Sequence, residues 1–164
     1  MDELRPETAA NGERKSLDVG DPKAGILQTL ISIAQSIRAL LGLRLAELSL
    51  ANGHDEILLR LDAEPESAAI LAARLEMRET VLTKLLEPLI ARGLIERVGD
   101  VHDARRGLMR LTAAGAVMQE RIRDIWNEIG NDLVGAKGSE QLDRLIVELE
   151  SMQKQMSGHM NRFC

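Results

Sequence analysis

The 164-residue chain is almost without aromatic side chains: Trp126 and Phe163 are the only two, and there is no tyrosine. Strands favour aromatic and β-branched residues, so a core that must be built from Leu, Ile, Ala and Met points to helices. Cysteine is as scarce. Cys164 stands alone, which excludes an intrachain disulfide and any zinc knuckle or Cys-x-x-Cys site made within one chain. The opening Met1-Asp2-Glu3-Leu4-Arg5-Pro6 carries acids and a proline where a signal peptide has basic residues followed by an apolar run, so no export signal is expected. The longest uncharged apolar-rich stretch, residues 24–37, has 14 residues and includes Gln28, Thr29, Ser32, Gln35 and Ser36, too short and too polar to cross a bilayer. A cytoplasmic protein with no membrane span is the expectation. There is no His-Glu-x-x-His, no phosphate-binding glycine loop and no Gly-x-Ser-x-Gly, and His and Cys are too few for a metal site. Neither an enzyme nor a metal- or cofactor-dependent protein is expected.

What remains is an ordinary globular composition, 45% apolar and 29% charged, enough to bury a core in one compact domain with appended elements. Residues 1–23 mix ten charges with Pro6, Gly12, Gly20 and Pro22 and read as a mobile arm. From Ile26 the apolar residues recur every three or four positions through Leu48, the period of one helix face, so a long helix is expected over about 24–47. Asn52-Gly53 breaks the chain before a short helix over 55–61. Ser67 suits the cap of another through Leu75. A further helix is expected over 78–92, with Leu82, Leu85, Leu86 and Leu89 inward and Gly93 just past its end. Two short strands, 94–98 and 108–111, flank a nine-residue charged tip, longer than ordinary hairpin loops of about two to five residues. Thr112 caps a long helix that Gly135 and Gly138 end, and a last helix starts at Ser139 with near-heptad spacing of Leu142, Leu145, Ile146, Leu149, Met152 and Met156. The predicted fold is mainly α with a small two-stranded β-hairpin wing: a winged helix-turn-helix flanked by long helices.

Within that layout, Leu71-Ala72-Ala73-Arg74-Leu75, Thr83, Leu89-Ile90-Ala91-Arg92-Gly93-Leu94-Ile95-Glu96-Arg97, Asp103-Ala104-Arg105 and Leu111-Thr112-Ala113-Ala114-Gly115 resemble the signature of the multiple antibiotic resistance regulator (MarR) family over about residues 30–155. Its most specific element is Asp-x-Arg a short distance before Leu-Thr-x-x-Gly. The resemblance implies a homodimeric, cytoplasmic transcription regulator, with repression the expected sign, whose first and last helices interlock with a partner chain. The apolar faces of the three long helices agree, since they exceed what a small central module covers. The chain then divides into an arm (1–23), a dimerisation helix (24–52), a DNA-binding module (53–112) and carboxy-terminal dimerisation helices (113–164).

Double-stranded DNA is the implied partner, at a pseudo-palindromic site with half-sites about one helical turn apart. The net charge of −5 argues against general polyanion binding, yet residues 78–110 hold seven basic side chains against five acidic, so the basic groups concentrate where a winged helix meets a duplex. In that geometry Arg78, Thr80, Thr83 and Lys84 share the exposed edge of the recognition helix, the basic residues for guanine or phosphate and the threonines for thymine methyl or phosphate. Asp103 and Arg105, two apart on an extended segment, project to one side, so the carboxylate braces the guanidinium. The resemblance assigns Arg105 to the minor groove, and Arg106 faces phosphate. Two departures from the family stand out: Arg78-Glu79 replaces a Ser or Thr followed by a basic residue, and Pro88 lies inside the recognition helix. Family members commonly release DNA on binding a small molecule between the dimer helices and the winged module; here Arg38, His54 and Trp126 are the candidate pocket residues. The alternative is a winged helix used for protein contact, an adaptor with no DNA role.

Overall fold

The computed structural model describes residues 21–99 and 108–160. The chain divides into two units, one up to Ser36 and one from Ile37 onward. Helix α1 (Pro22–Glu47) supplies the described part of the first unit, where Ile26, Leu27 and Ile31 are exposed. By length and composition alone α1 is apolar enough to cross a membrane: an 18-residue window within it has mean hydropathy 1.5 and no buried residue.

The second unit holds the end of α1, then α2 (His54–Arg60), β1 (Glu66–Ser67), α3 (Ala68–Arg74), α4 (Glu79–Ala91), β2 (Ile95–Val98), β3 (Leu108–Leu111), α5 (Ala113–Val134) and α6 (Ser139–Met160). Each expected helix is present, and so is the expected hairpin, with Ile95 opposite Leu111 and Val98 opposite Leu108. A third strand joins it. β1 pairs antiparallel with β3, Glu66 opposite Met109, which gives a sheet of order β1-β3-β2. A two-residue strand has no periodicity to read in sequence; the free edge of β3 creates it.

Three helices end in the same way. The N–H of Leu50 returns to the Leu45 carbonyl and that of Ser49 to Ala46; Met77 and Glu76 return to Ala72 and Ala73; Leu94 and Gly93 return to Leu89 and Ile90. These are paired bonds that satisfy the last carbonyls of a helix, with the turning residue left-handed and the next one apolar. Gly93 takes that conformation at φ 67°, but Ser49 (φ 56°) and Glu76 (φ 51°) take it without being glycine, at a steric cost of about 1 kcal/mol each. The apolar residue after each turn offsets that cost: Leu50 and Leu94 are buried and Met77 packs against the core.

That core gathers Leu45 and Leu50 from the end of α1, Ile57, Leu58 and Leu61 around α2, Leu71 from α3, Leu82, Leu86 and Leu89 from α4, and Ile122 and Ile125 from α5. Gln119 crosses it, its amide donating to the carbonyls of Leu58 (2.7 Å) and Leu61 (3.2 Å), so the buried end of α2 keeps its hydrogen bonds. Thr112 fastens α5 to the sheet. Its hydroxyl accepts from the Gly115 N–H (3.0 Å) as the helix cap and donates to the Gly93 carbonyl (2.7 Å). Gly115 is needed there because a Cβ would lie 2.1 Å from the Leu94 carbonyl oxygen.

Candidate nucleic-acid interface

The turn at Glu76 sets α3 and α4 against each other as a helix-turn-helix. Ser67 caps α3, its hydroxyl accepting from Ile70 N–H at 3.3 Å. Arg78 occupies the corresponding position before α4 in an extended conformation and makes no side-chain cap bond, as expected for a residue that has no short acceptor. α4 buries Leu82, Leu86 and Leu89 on one side and exposes Arg78, Glu79, Thr80, Val81, Thr83 and Lys84 on the other. The helix runs three residues past Pro88 to Ala91.

The chemistry of that exposed edge is more specific than its residue types. The Thr83 hydroxyl donates to the Glu79 carbonyl at 2.8 Å, so its proton is committed to the helix and the side chain offers outward only a methyl and oxygen lone pairs. Arg78, Thr80 and Lys84 remain as exposed donors. Val81, 47% exposed and not among the residues singled out by sequence, adds an apolar surface suited to a thymine methyl; a valine out of step with the Leu82-Leu86-Leu89 rhythm was the available signal. Glu79 contributes a carboxylate, which accepts from the amino groups of cytosine or adenine and is repelled by the acceptors of guanine.

Among the described residues, two of the basic side chains counted between 78 and 110 are engaged elsewhere. Arg110 pairs with Glu96 across the hairpin at 2.6 Å. Arg92, at the carboxy-terminal end of α4, donates to the carbonyls of Ser49 (2.7 Å) and Leu48 (3.0 Å). Asp103, Arg105 and Arg106, the expected wing residues, lie outside the described residues.

The expected pocket residues fall in different places. His54 is buried, and its Nδ1 accepts the Ala51 N–H at 3.1 Å. Burial lowers its pKa below the usual 6.5, Arg92 nearby adds to the lowering, and Asp55 opposes it. Trp126 donates from Nε1 to Asp55 Oδ2 at 3.1 Å, while Asp55 Oδ1 accepts from Gly53 N–H, so the buried carboxylate ties α2 to α5. Trp126 also lines an open apolar groove of about 170 Å³ with Ile37, Leu41, Ile129, Gly130 and Leu133. His54 and Arg38 do not line it, and Arg38 is exposed on α1. Among the described residues no group of three His, Cys, Asp or Glu side chains is arranged to hold a metal ion.

A helix-turn-helix followed by a β-hairpin, with a polar edge on its second helix, defines a winged helix, and residues 50–115 match the family described as winged helix DNA-binding domain. No curated protein matches the sequence. Among solved structures the chain is similar to the transcriptional regulator BldR from Sulfolobus solfataricus, at 21% identity and TM-score 0.71, over 85% of this chain and 99% of that one. It is similar to MepR of S. aureus in complex with DNA, at 20% identity and TM-score 0.70, over 79% and 96%. The reduced form of MarR from E. coli matches at 21% identity and TM-score 0.66, over 76% and 93%. The fold is thus the one shared by MarR-type regulators, with long helices on both sides of the winged module.

Proposed function

We propose that the chain is a MarR-type transcription regulator that works in the cytoplasm as a homodimer and represses by binding a pseudo-palindromic operator with half-sites about one helical turn apart. The observation that carries this reading is α4. Its inward side is anchored by Leu82, Leu86 and Leu89, and its outward amino-terminal half presents Thr80, Val81, Thr83 and Lys84 in a fold that has been solved on DNA. A firmly seated helix with a polar outer edge is what major-groove reading needs. Arg105, braced by Asp103, serves the minor groove in this reading, and Arg106 and Arg78 serve phosphate.

The dimer accounts for the apolar surface that one chain leaves open. Ile26, Leu27 and Ile31 on α1 are exposed, and so are Ile146, Leu149 and Met156 on α6; a row of large apolar side chains left open on a helix marks an interaction surface. The same pairing accounts for the apolarity of α1 without a membrane. Release by an effector is read from the groove beside Trp126, whose lining of Ile, Leu and Trp suits a small apolar or aromatic molecule.

The test is selection of genomic fragments by the purified protein, beside Lys84→Ala and Arg105→Ala. Recovery of a short inverted repeat by the wild type is expected, with each variant losing about 1–3 kcal/mol of affinity while remaining dimeric. Only weak, sequence-blind binding by all three proteins, with or without small-molecule extracts, would overturn the reading in favour of a protein-contact adaptor.

A further inference from the structure

We propose that Arg92 is a positioning residue for DNA recognition: it clips the carboxy-terminal end of α4 to the carboxy-terminal end of α1 and so sets the distance and angle between the two recognition helices of a dimer. The inference rests on the dimeric DNA-binding reading above.

The clip has a defined geometry. Arg92 immediately follows α4, and its two terminal nitrogens donate to separate carbonyls, Nη1 to Ser49 at 2.7 Å and Nη2 to Leu48 at 3.0 Å. Both carbonyls belong to the turn that ends α1, where Ser49 is held left-handed at φ 56°. A strained turn persists when its surroundings over-determine it, and here the Leu50 N–H returning to Leu45 and the Arg92 fork grip the same turn from two sides. A planar fork with both donors used fixes direction as well as distance. α4 is also held by the packing of Leu82, Leu86 and Leu89 and by the Thr112 hydroxyl on the Gly93 carbonyl, which ties its end to α5; the Arg92 fork is the directional bond from that end to the turn that closes α1.

Position separates this role from DNA contact. Arg92 and Lys84 stand eight residues apart, about 12 Å along a helix, with Arg92 at the end away from Arg78 and its donors turned to the protein's own backbone. α1 is one of the two helices assigned to the partner contact in the reading above, so a bond between its end and the end of α4 is a direct path by which dimer geometry reaches the DNA-reading edge.

The experiment compares wild type, Arg92→Lys and Arg92→Gln on duplexes carrying the selected inverted repeat with its spacer unchanged, shortened or lengthened by one base pair, a change that rotates one half-site by about 35°. The wild type is expected to reject the altered spacers by about 100-fold and Arg92→Gln by less than about 10-fold, with half-site base preference and dimer mass unchanged. Arg92→Lys should fall between, since one ammonium lacks the fork. Equal loss by Arg92→Gln at every spacing, with a salt slope lower by about one, would make Arg92 a phosphate contact and overturn the proposal. Spacing discrimination as sharp as wild type in Arg92→Lys would do the same, and that arm decides the matter if Arg92→Gln melts early. A wild type that selects no repeat at all removes the DNA reading and this inference with it, an outcome visible before any variant is made.

Discussion

α4 and α6 carry the same kind of amphipathic pattern and meet opposite fates. In α4, Leu82, Leu86 and Leu89 are essentially inaccessible. Along α6, apolar residues recur just as regularly, yet none of its described side chains is buried, and Ile146, Leu149 and Met156 are exposed. Periodicity states that a face will be covered, and it is silent about which molecule covers it. The winged module closes its own core because α2, α3, α4 and α5 converge on a small sheet. Among the described residues nothing buries a side chain of α6, and the homodimer proposed above would supply that cover.

The closed half, the winged module, is most sensitive at Gly115. Replacement by Ala puts a Cβ 2.1 Å from the Leu94 carbonyl oxygen and 2.7 Å from Leu111 Cδ1, where backbone and a packed side chain have little room to yield. Gly115→Ala should lose about 3 kcal/mol or more in chemical denaturation. Gly138→Ala, with nothing within 4 Å of the new Cβ, is the matched control and should be near neutral. Equal effects at the two sites would mean that the contact between α5 and the start of β2 is not tight.

The open half is tested on α6. Leu149→Glu combined with Met156→Glu places two charges on the exposed apolar face, which should weaken association by about 2–4 kcal/mol and shift the sedimenting mass toward that of one chain. The cooperative unfolding of the winged module should persist. A double variant that stays dimeric would move the interface elsewhere, and a wild type that is monomeric at micromolar concentration would remove the need for one.

How far these features were legible depends on how local their causes are. The helices arise from three- and four-residue spacing and from the caps Ser67 and Thr112, all contained within a few residues. β1 was not legible, because Glu66 and Ser67 become a strand only through the edge of β3 more than forty positions away. The exposed edge of α4 was read from spacing, but the Thr83 hydroxyl turning back onto Glu79, which changes what that edge offers to DNA, is a rotamer choice that spacing does not encode. Arg92 reads in sequence as one more basic group near a DNA-binding helix. Its actual partners, the carbonyls of Leu48 and Ser49, lie more than forty residues earlier. Trp126 and Asp55, 71 positions apart, form a pair for the same kind of reason: the chain must already be folded before either residue has a partner.

The smallest effect is expected inside the closed half, at His54, whose ring bonds the chain between α1 and α2. Because Nδ1 accepts the Ala51 N–H, the ring is neutral in the folded protein. A proton there removes that acceptor and brings a positive charge toward Arg92. Burial and then Arg92 set the folded pKa below the ordinary 6.5, so around that pH the unfolded chain binds more protons than the folded one, and stability rises with pH. The contribution is therefore complete above 6.5 and is lost as pH falls from 6.5 toward the lowered folded value. Melting temperatures measured between pH 7.5 and 5 should fall more steeply for wild type than for His54→Asn, whose side-chain oxygen can take over the bond from Ala51 without titrating. Parallel curves for the two proteins would show that this turn does not respond to the His54 proton, and the Arg92 fork would then hold α1 and α4 together independently of pH.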